Sequence, residues 1–308
     1  MRVVIALGGN ALLRRGEPMD IALQRANLKR AAAAIAEIAE EHQVVVTHGN
    51  GPQVGLLALQ NEAYDGAPPA PLDVLDAETE GMVGYLLEQE LGHHLPSNRL
   101  ATLLTQVVVS PDDPAFLRPT KPIGPVYDGA TARRLAEARG WTVRPDGEGW
   151  RRVVPSPHPH RIVEIETVQL LVRNGITVTC AGGGGIPVVH DGHGGYRGVE
   201  AVIDKDRSAA FLASELCADA LLLLTDVDAV YEDWGTPAQR PLHLTNVAHL
   251  RSLEASEGSM GPKIDAVCQF IERGGSLAAI GGLDDAPALL RGEAGTVLLR
   301  TPTQEVNR

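Results

Sequence analysis

The sequence predicts an α/β fold built on a largely parallel sheet, and three observations carry that expectation. Short β-branched and aliphatic runs alternate with longer amphipathic segments along most of the 308 residues. Three of the apolar runs end in glycine-rich turns, as strand-to-helix connections do. Hydrophobic residues make up 44% of the chain, enough to fill the core of one large domain or two lobes.

The elements follow in order. Residues 2–7 (RVVIAL) are too short an apolar run for a signal peptide and meet Gly8-Gly9-Asn10 at once, so they read as a first strand. A helix is expected over residues 20–41, where Leu28, Ala31, Ala32, Ile35, Ile38 and Ala39 line one face. Residues 43–47 form the next strand, ending in His48-Gly49-Asn50-Gly51. Two helices, 53–64 and 73–94, are parted by Pro68-Pro69, and a strand follows over 100–109. Residues 110–160 break the rhythm. They are rich in Pro and Gly, hold Trp141 and Trp150, and contain one short helix near 131–139. Such a stretch is too long for an ordinary loop and is expected to be an inserted subdomain or lid.

Alternation resumes with a helix over 161–173 and a strand over 176–180, interrupted by Gly182-Gly183-Gly184-Gly185. Residues 190–198 read as a flexible hairpin tip, a better account of His190-Asp191-Gly192-His193 than a metal clip. Asp204 stands where it would N-cap a helix over 204–217 with the stripe Ala209, Leu212, Ala213, Leu216 and Cys217. A buried strand over 221–225 leads into a polar loop, 226–241. A helix over 261–273 has Pro262 in its first turn. Strands over 277–280 and 296–299 close the chain. No internal repeat or heptad pattern is visible.

The net charge of −12 does not suit non-specific binding to nucleic acid or to an anionic membrane. No apolar run approaches the roughly 18–20 residues of a bilayer-spanning helix. Three scattered cysteines, Cys180, Cys217 and Cys268, fit a reduced cytoplasmic protein and are expected to pack in the core.

Three glycine turns at strand ends let backbone N–H groups converge on an anion, at the sheet edge where open α/β folds bind ligands. Neither a P-loop nor a G-x-G-x-x-G fingerprint is present. Lysine is scarce: Lys29, Lys121, Lys205 and Lys263 are the four among 27 cationic residues. Lys29 falls on a solvated helix face. Lys121 sits in the rigid turn PTKPIG, whereas Lys205 and Lys263 begin helices, against the macrodipole. A compact ammonium at such a place suggests an anionic ligand. Asp206 beside Lys205 could orient ammonium groups, contact a metal, or simply stabilise the helix start. Asp226 and Asp228 follow the strand at 221–225.

These segments together resemble the carbamate kinase family of the amino acid kinase superfamily. The matching motifs are ALGGNA (6–11), HGNGPQVG (48–55), LTQVVV (104–109), PTKPIGP (119–125), GWR with VPSP (149–157), GGGGIPVV (182–189), GVEAVIDKD (198–206) and GSMGPK (258–263). One departure is His158, where the family pattern has Lys or Arg. The resemblance implies a three-layer αβα sandwich with an eight-stranded, mostly parallel sheet. It implies an N-terminal lobe, 1–198, for the phosphoryl acceptor, with a protruding subdomain near 112–160 inserted in it. The C-terminal lobe, 199–308, would bind nucleotide.

The implied reaction is reversible phosphoryl transfer between ATP and carbamate, giving ADP and carbamoyl phosphate, with Mg2+. The family commonly runs it toward ATP in arginine breakdown, as a cytoplasmic homodimer. Carbamate is already an anionic nucleophile, so no general base is needed. By the same resemblance Lys205 and Lys263 would contact phosphates, Lys121 would reach in from the lid, and Asp206 would hold the two helix-start lysines. Gly8, Gly9 and Asn10 would cradle the phosphoryl group with Gly183 and Gly184, and Gly49, Asn50 and Gly51 the carbamate. Asp226, Tyr231 and Met260 would lie on the nucleotide side. The competing readings are another amino acid kinase, acting on a carboxylate or phosphonate, and a nucleotide-binding regulatory protein without turnover.

Overall fold

The computed structural model describes residues 1–13, 17–64, 66–253 and 260–300, with the side chains of Asn10 and Ala11 outside that set. Gly258 and Ser259 of the GSMGPK motif also lie outside the described residues. The chain opens with β1 (Arg2–Leu7), the single turn α1 (Gly9–Leu12), α2 (Ile21–Glu41) and β2 (Gln43–His48). Next come α3 (Gly51–Glu62), α4 (Leu72–Leu91), β3 (Leu100–Thr102) and β4 (Gln106–Val109). The insertion supplies β5 (Lys121–Tyr127), α5 (Gly129–Arg139), β6 (Thr142–Asp146) and β7 (Gly149–Val154). Then β8 (Pro159–Ile162), α6 (Ile165–Arg173), β9 (Thr177–Thr179), β10 (Ile186–His190) and β11 (Tyr196–Gly198) lead to α7 (Lys205–Glu215). After α7 come β12 (Ala220–Thr225), β13 (Val230–Glu232), β14 (Arg240–Leu242), β15 (Leu244–Thr245) and α8 (Val247–Ser252). The last elements are α9 (Met260–Glu272), β16 (Leu277–Gly282), α10 (Ala286–Leu290) and β17 (Thr296–Leu299).

Among the described residues the main sheet has eight strands in the order β15-β17-β16-β12-β1-β2-β9-β3. Six run parallel; β17 pairs antiparallel with β16, and β15 follows β17. Alternation along β1 explains the layers. Val4 and Ala6 enter a core shared with α6, α7 and α9, whereas Val3, Ile5 and Leu7 enter one shared with α2, α4 and α10. The result is the expected αβα sandwich. Asp20 caps α2, accepting from the Leu23 N–H at 3.0 Å, and Asp204 caps α7 in the same way. The insertion is a three-stranded antiparallel sheet, β5-β7-β6, with α5. It packs on α3 and α4 through Val54, Ala58, Leu75, Ile123 and Val154. No helix among the described residues is long and apolar enough to cross a membrane.

Four local expectations need correction. The strand expected over 100–109 is two strands in different sheets: β3 pairs with β9, and β4 with β8 and β10. The chain turns between them because the Thr105 N–H goes to Glu80 and the Thr105 carbonyl takes the Ile186 N–H. The helix expected from residue 161 starts at Ile165, because residues 159–162 are drawn into pairing with β4. The loop over 226–241 contains the hairpin strands β13 and β14. Cys217 is exposed, unlike Cys180 and Cys268. Helix α7 ends before it, and its φ of 48° turns it out of the apolar stripe.

Candidate active site

Parallel β1, β2, β9 and β12 deliver the turns after them to one edge of the sheet. The Gly8 N–H donates to the Leu224 carbonyl at 2.8 Å, and the Gly49 N–H to the Leu7 carbonyl at 2.9 Å. Gly9 lies against Gly49 and Pro52, so α1 abuts the start of α3, and Asn10 follows within α1. Gly51 opens α3. The turn at Gly182–Gly184 is where glycine is required. Gly183 and Gly184 have φ of 70° and 107°. A Cβ on Gly183 would stand 2.2 Å from the Asn50 amide nitrogen, and one on Gly184 2.5 Å from the Ile203 carbonyl oxygen. That turn thereby fits between Asn50 and the residues leading into α7.

Helix α4 supplies a buried polar support beneath these turns. The Thr79 hydroxyl donates to the Leu75 carbonyl at 2.8 Å, so toward Asn50 its oxygen acts as an acceptor. Asn50 Nδ2 donates to Thr79 Oγ1 at 2.9 Å and to Asp76 Oδ1 at 3.2 Å. With both amide hydrogens engaged, what Asn50 retains is its carbonyl oxygen. Its side chain does not cap α3. Glu80 accepts the Gly182 N–H at 2.8 Å and the Thr105 N–H at 3.2 Å, tying two loops to one helix. Burial pushes the Glu80 carboxyl up to about 8 despite those bonds, raises Asp76 as well, and lowers the His48 imidazole to about 4.

The three lysines converge on α7. Asp206 accepts from Lys205 Nζ at 2.5 Å with one oxygen and from Lys263 Nζ at 3.0 Å with the other. Lys205, Asp206 and Lys263 are all buried. Burial opposes ionisation of Asp206, yet Lys205 and Lys263 override it and hold the carboxyl below its ordinary value. Burial lowers Lys205, against the pull of Asp206. Lys121, from the insertion, reaches Asp204 Oδ2 at 2.6 Å, while Asp204 Oδ1 takes the Asp206 and Arg207 N–H groups. Burial would raise Asp204, but the charge of Lys121 and its hydrogen bond bring the carboxyl well below the usual range.

On the other side, Asp226 follows β12 and accepts from the Thr225 hydroxyl at 3.1 Å. Tyr231 on β13 donates to Asp228 at 2.9 Å and meets Trp234 edge-on at 5.3 Å. Met260 begins α9 and packs half-buried against the core. Thus Lys121, Lys205, Lys263 and Asp206 form one linked cluster through residues 204–206. Tyr231 instead belongs to its own hairpin.

Asp76, Thr79, Glu80 and the pairing of Asp204 with Lys121 escape sequence reasoning. The first three had a signal. They occupy the buried stripe of α4 with Leu72, Leu75, Val83 and Leu87, where an apolar residue is the default.

Their titration fixes a pH dependence. Glu80, raised in the fold, contributes stability below its unfolded value of about 4.5 that is lost as pH rises through about 8. His48, lowered in the fold, contributes stability above its unfolded value of 6.5 that is lost as pH falls through about 4. Above pH 6.5 the His48 contribution is complete, while that of Glu80 is still being lost. The Tm of the parent is expected to fall between pH 6.5 and 8 more steeply than that of Glu80→Gln; equal slopes by calorimetry would remove Glu80 from the account.

Comparison with known proteins places the chain. The profile described as the amino acid kinase family matches residues 1–281. A carbamate kinase of Rhizobium meliloti is 56% identical over 302 residues, covering 97% of this chain and 93% of that one. A carbamate kinase of Haemophilus influenzae is 52% identical, covering 96% of each. The structure of a carbamate kinase from Giardia lamblia bound to AMP-PNP is 40% identical, with a TM-score of 0.87, covering 97% of this chain and 98% of that one. The chain belongs to the amino acid kinase family, in the company of its carbamate kinases.

Proposed function

We propose that the protein is a carbamate kinase that transfers a phosphoryl group reversibly between ATP and carbamate, working toward ATP in arginine breakdown. One observation carries the mechanism. Two lysines share a single buried carboxylate at the N-terminal turns of α7 and α9, and a third is brought to the same helix start from the insertion. Phosphoryl transfer needs alignment and charge stabilisation more than covalent chemistry. Two lysines fixed on one carboxylate present oriented cations at the helix start, where a polyphosphate would bind.

In the direction of ATP synthesis, a β-phosphate oxygen of ADP attacks phosphorus of carbamoyl phosphate. A new P–O bond forms as the bond to the carbamoyl oxygen breaks, and carbamate leaves as an anion. Lys205 and Lys263 take the charge on the nucleotide side, and Lys121 the charge on the transferring group. Gly9, Asn10 and Gly183 offer backbone N–H donors to the phosphoryl group, while Gly8 and Gly184, whose N–H groups go to the Leu224 and Ala181 carbonyls, shape the turns around it. Residues 49–51 hold the carbamate. Its amino group suits the one group Asn50 has left, a carbonyl oxygen fixed in orientation by Thr79 and Asp76. A simple carboxylate lacks that donor.

Asp226, Tyr231 and Met260 are assigned to the nucleotide side, within a C-terminal lobe of 199–308 facing an acceptor lobe of 1–198. Mg2+ is read as part of the nucleotide substrate. Asp204 and Asp206 have every carboxylate oxygen engaged by lysine or by helix N–H groups, so their donor set does not suit a resident metal. A cytoplasmic homodimer completes the reading, on the strength of the family resemblance.

The test is ATP formation from ADP, Mg2+ and carbamoyl phosphate, read by luminescence. Lys205→Ala and Lys263→Ala are each expected to lower turnover by ~10²–10³, the scale of one preorganised charge-stabilising donor. Lys121→Arg is expected to be impaired although it keeps its charge, because a planar fork does not replace a compact ammonium. Parent-like turnover in either alanine variant removes that lysine from the mechanism, and a parent-like Lys121→Arg removes the requirement for an ammonium at that position. A folded parent that binds ADP but forms no ATP contradicts the assignment.

A further inference from the structure

Helix α3 does two things one turn apart. Its start, residues 50–53, belongs to the acceptor side of the site. Its second turn carries Gly55, and there the insertion rests. A Cβ on Gly55 would lie 2.5 Å from Gly124 Cα and 2.6 Å from Gly124 N, both backbone atoms of β5. No rotamer change relieves such a contact; the strand itself has to move. Glycine is a poor helix former and alanine the best, so helix propensity gives no reason for Gly55. Gly124 has a φ of 71° and lies in the irregular stretch between Ile123 and Tyr127, where β5 bends against the helix. Val54, Ala58, Ile123 and Val154 close around the contact, and Glu62 at the far end of α3 pairs with Arg139 and Arg152 of the insertion.

Three residues before Gly124 on the same strand is Lys121, with its ammonium on Asp204. The strand is therefore held at two points, by backbone contact with α3 and by an ion pair to the start of α7. We propose that Gly55 and Gly124 form a seat that sets the position of Lys121 over the acceptor, making Gly55 a positioning residue for phosphoryl transfer. This rests on the reading of Lys121 given above. A methyl group at position 55 lifts β5 from α3 and draws Lys121 off its station, while the nucleotide-side pair Lys205 and Lys263 stays in place.

The experiment joins an activity cycle to a measurement that needs no activity. In full-length Gly55→Ala, hydrogen exchange over residues 121–127 is expected to rise while that over residues 205–215 is unchanged. Turnover is expected to drop ~10²-fold, the scale of a misplaced reacting group, with ADP affinity by calorimetry within about twofold of the parent. Added to Lys121→Ala, the same substitution should have no further effect on turnover, because its action runs through that ammonium. Unchanged exchange over 121–127 overturns the seat, and losses that multiply overturn the link to Lys121. Should Gly55→Ala fail to fold, Glu62→Gln loosens the insertion from α3 through Arg139 of α5 and Arg152 of β7, the strand paired with β5. It is expected to slow the parent and leave Lys121→Ala unaffected; equal slowing of both overturns the proposal. A parent that forms no ATP refutes the kinase reading instead, and the exchange result still decides the seat.

Discussion

One buried carboxylate, Asp206, accepts from two buried ammonium groups, Lys205 and Lys263. Burying an unpaired charge is prohibitive, and removing one member of a buried pair typically destabilises by about 3–5 kcal/mol. The cluster therefore dictates what surrounds it. Helix α7 starts at Lys205 and α9 brings Lys263 from its first turn, so two helices must converge by their positive ends. Asp204 compensates by capping α7 and by taking Lys121 on its other oxygen. Alternating acids and a lysine along residues 204–206 thus organise all three cations within three consecutive positions.

The half of the site around Asn50 is built from neutral and oriented groups instead. Asp76, Thr79 and Glu80 spend their polarity on Asn50, Gly182 and Thr105. This arrangement includes a carboxyl, Glu80, that burial keeps protonated into the neutral range, so it adds little negative charge beside Asn50. The glycine turn at Gly182–Gly184 touches both halves, against Asn50 on one side and Ile203 on the other. Cationic and neutral halves meet there, which is the polarity that a phosphoryl donor facing a small anionic acceptor requires.

Much of this was legible in the sequence. Alternating periodicity gave the α/β class and its largely parallel sheet, the three-layer sandwich came with the family resemblance, three glycine turns marked the edge of the sheet, and scarcity of lysine in an arginine-rich chain singled out Lys121, Lys205 and Lys263. Resemblance supplied the acceptor and the reaction, which periodicity alone does not contain. Other features were hidden for physical reasons. The largely apolar run over 100–109 is interrupted only by Thr102 and Thr105-Gln106, too little to show that its halves join different sheets, because tertiary hydrogen bonds to Glu80 and Ile186 decide the break. Cys217 keeps the helical spacing of its stripe although the helix has already ended. Gly55 reads as an ordinary weak point in a helix until the strand against it is seen.

If Asp206 holds Lys205 and Lys263 as one charge-stabilising unit, Asp206→Asn is the substitution that exposes it most directly. The substitution keeps size and shape and removes the shared negative charge. With the fold verified by circular dichroism, ATP formation from carbamoyl phosphate and ADP is expected to fall by ~10² or more, at the scale of losing an oriented charge-stabilising group. Parent-like turnover in that variant would contradict the account at its root, since the lysines would then need no shared counter-ion to do their work.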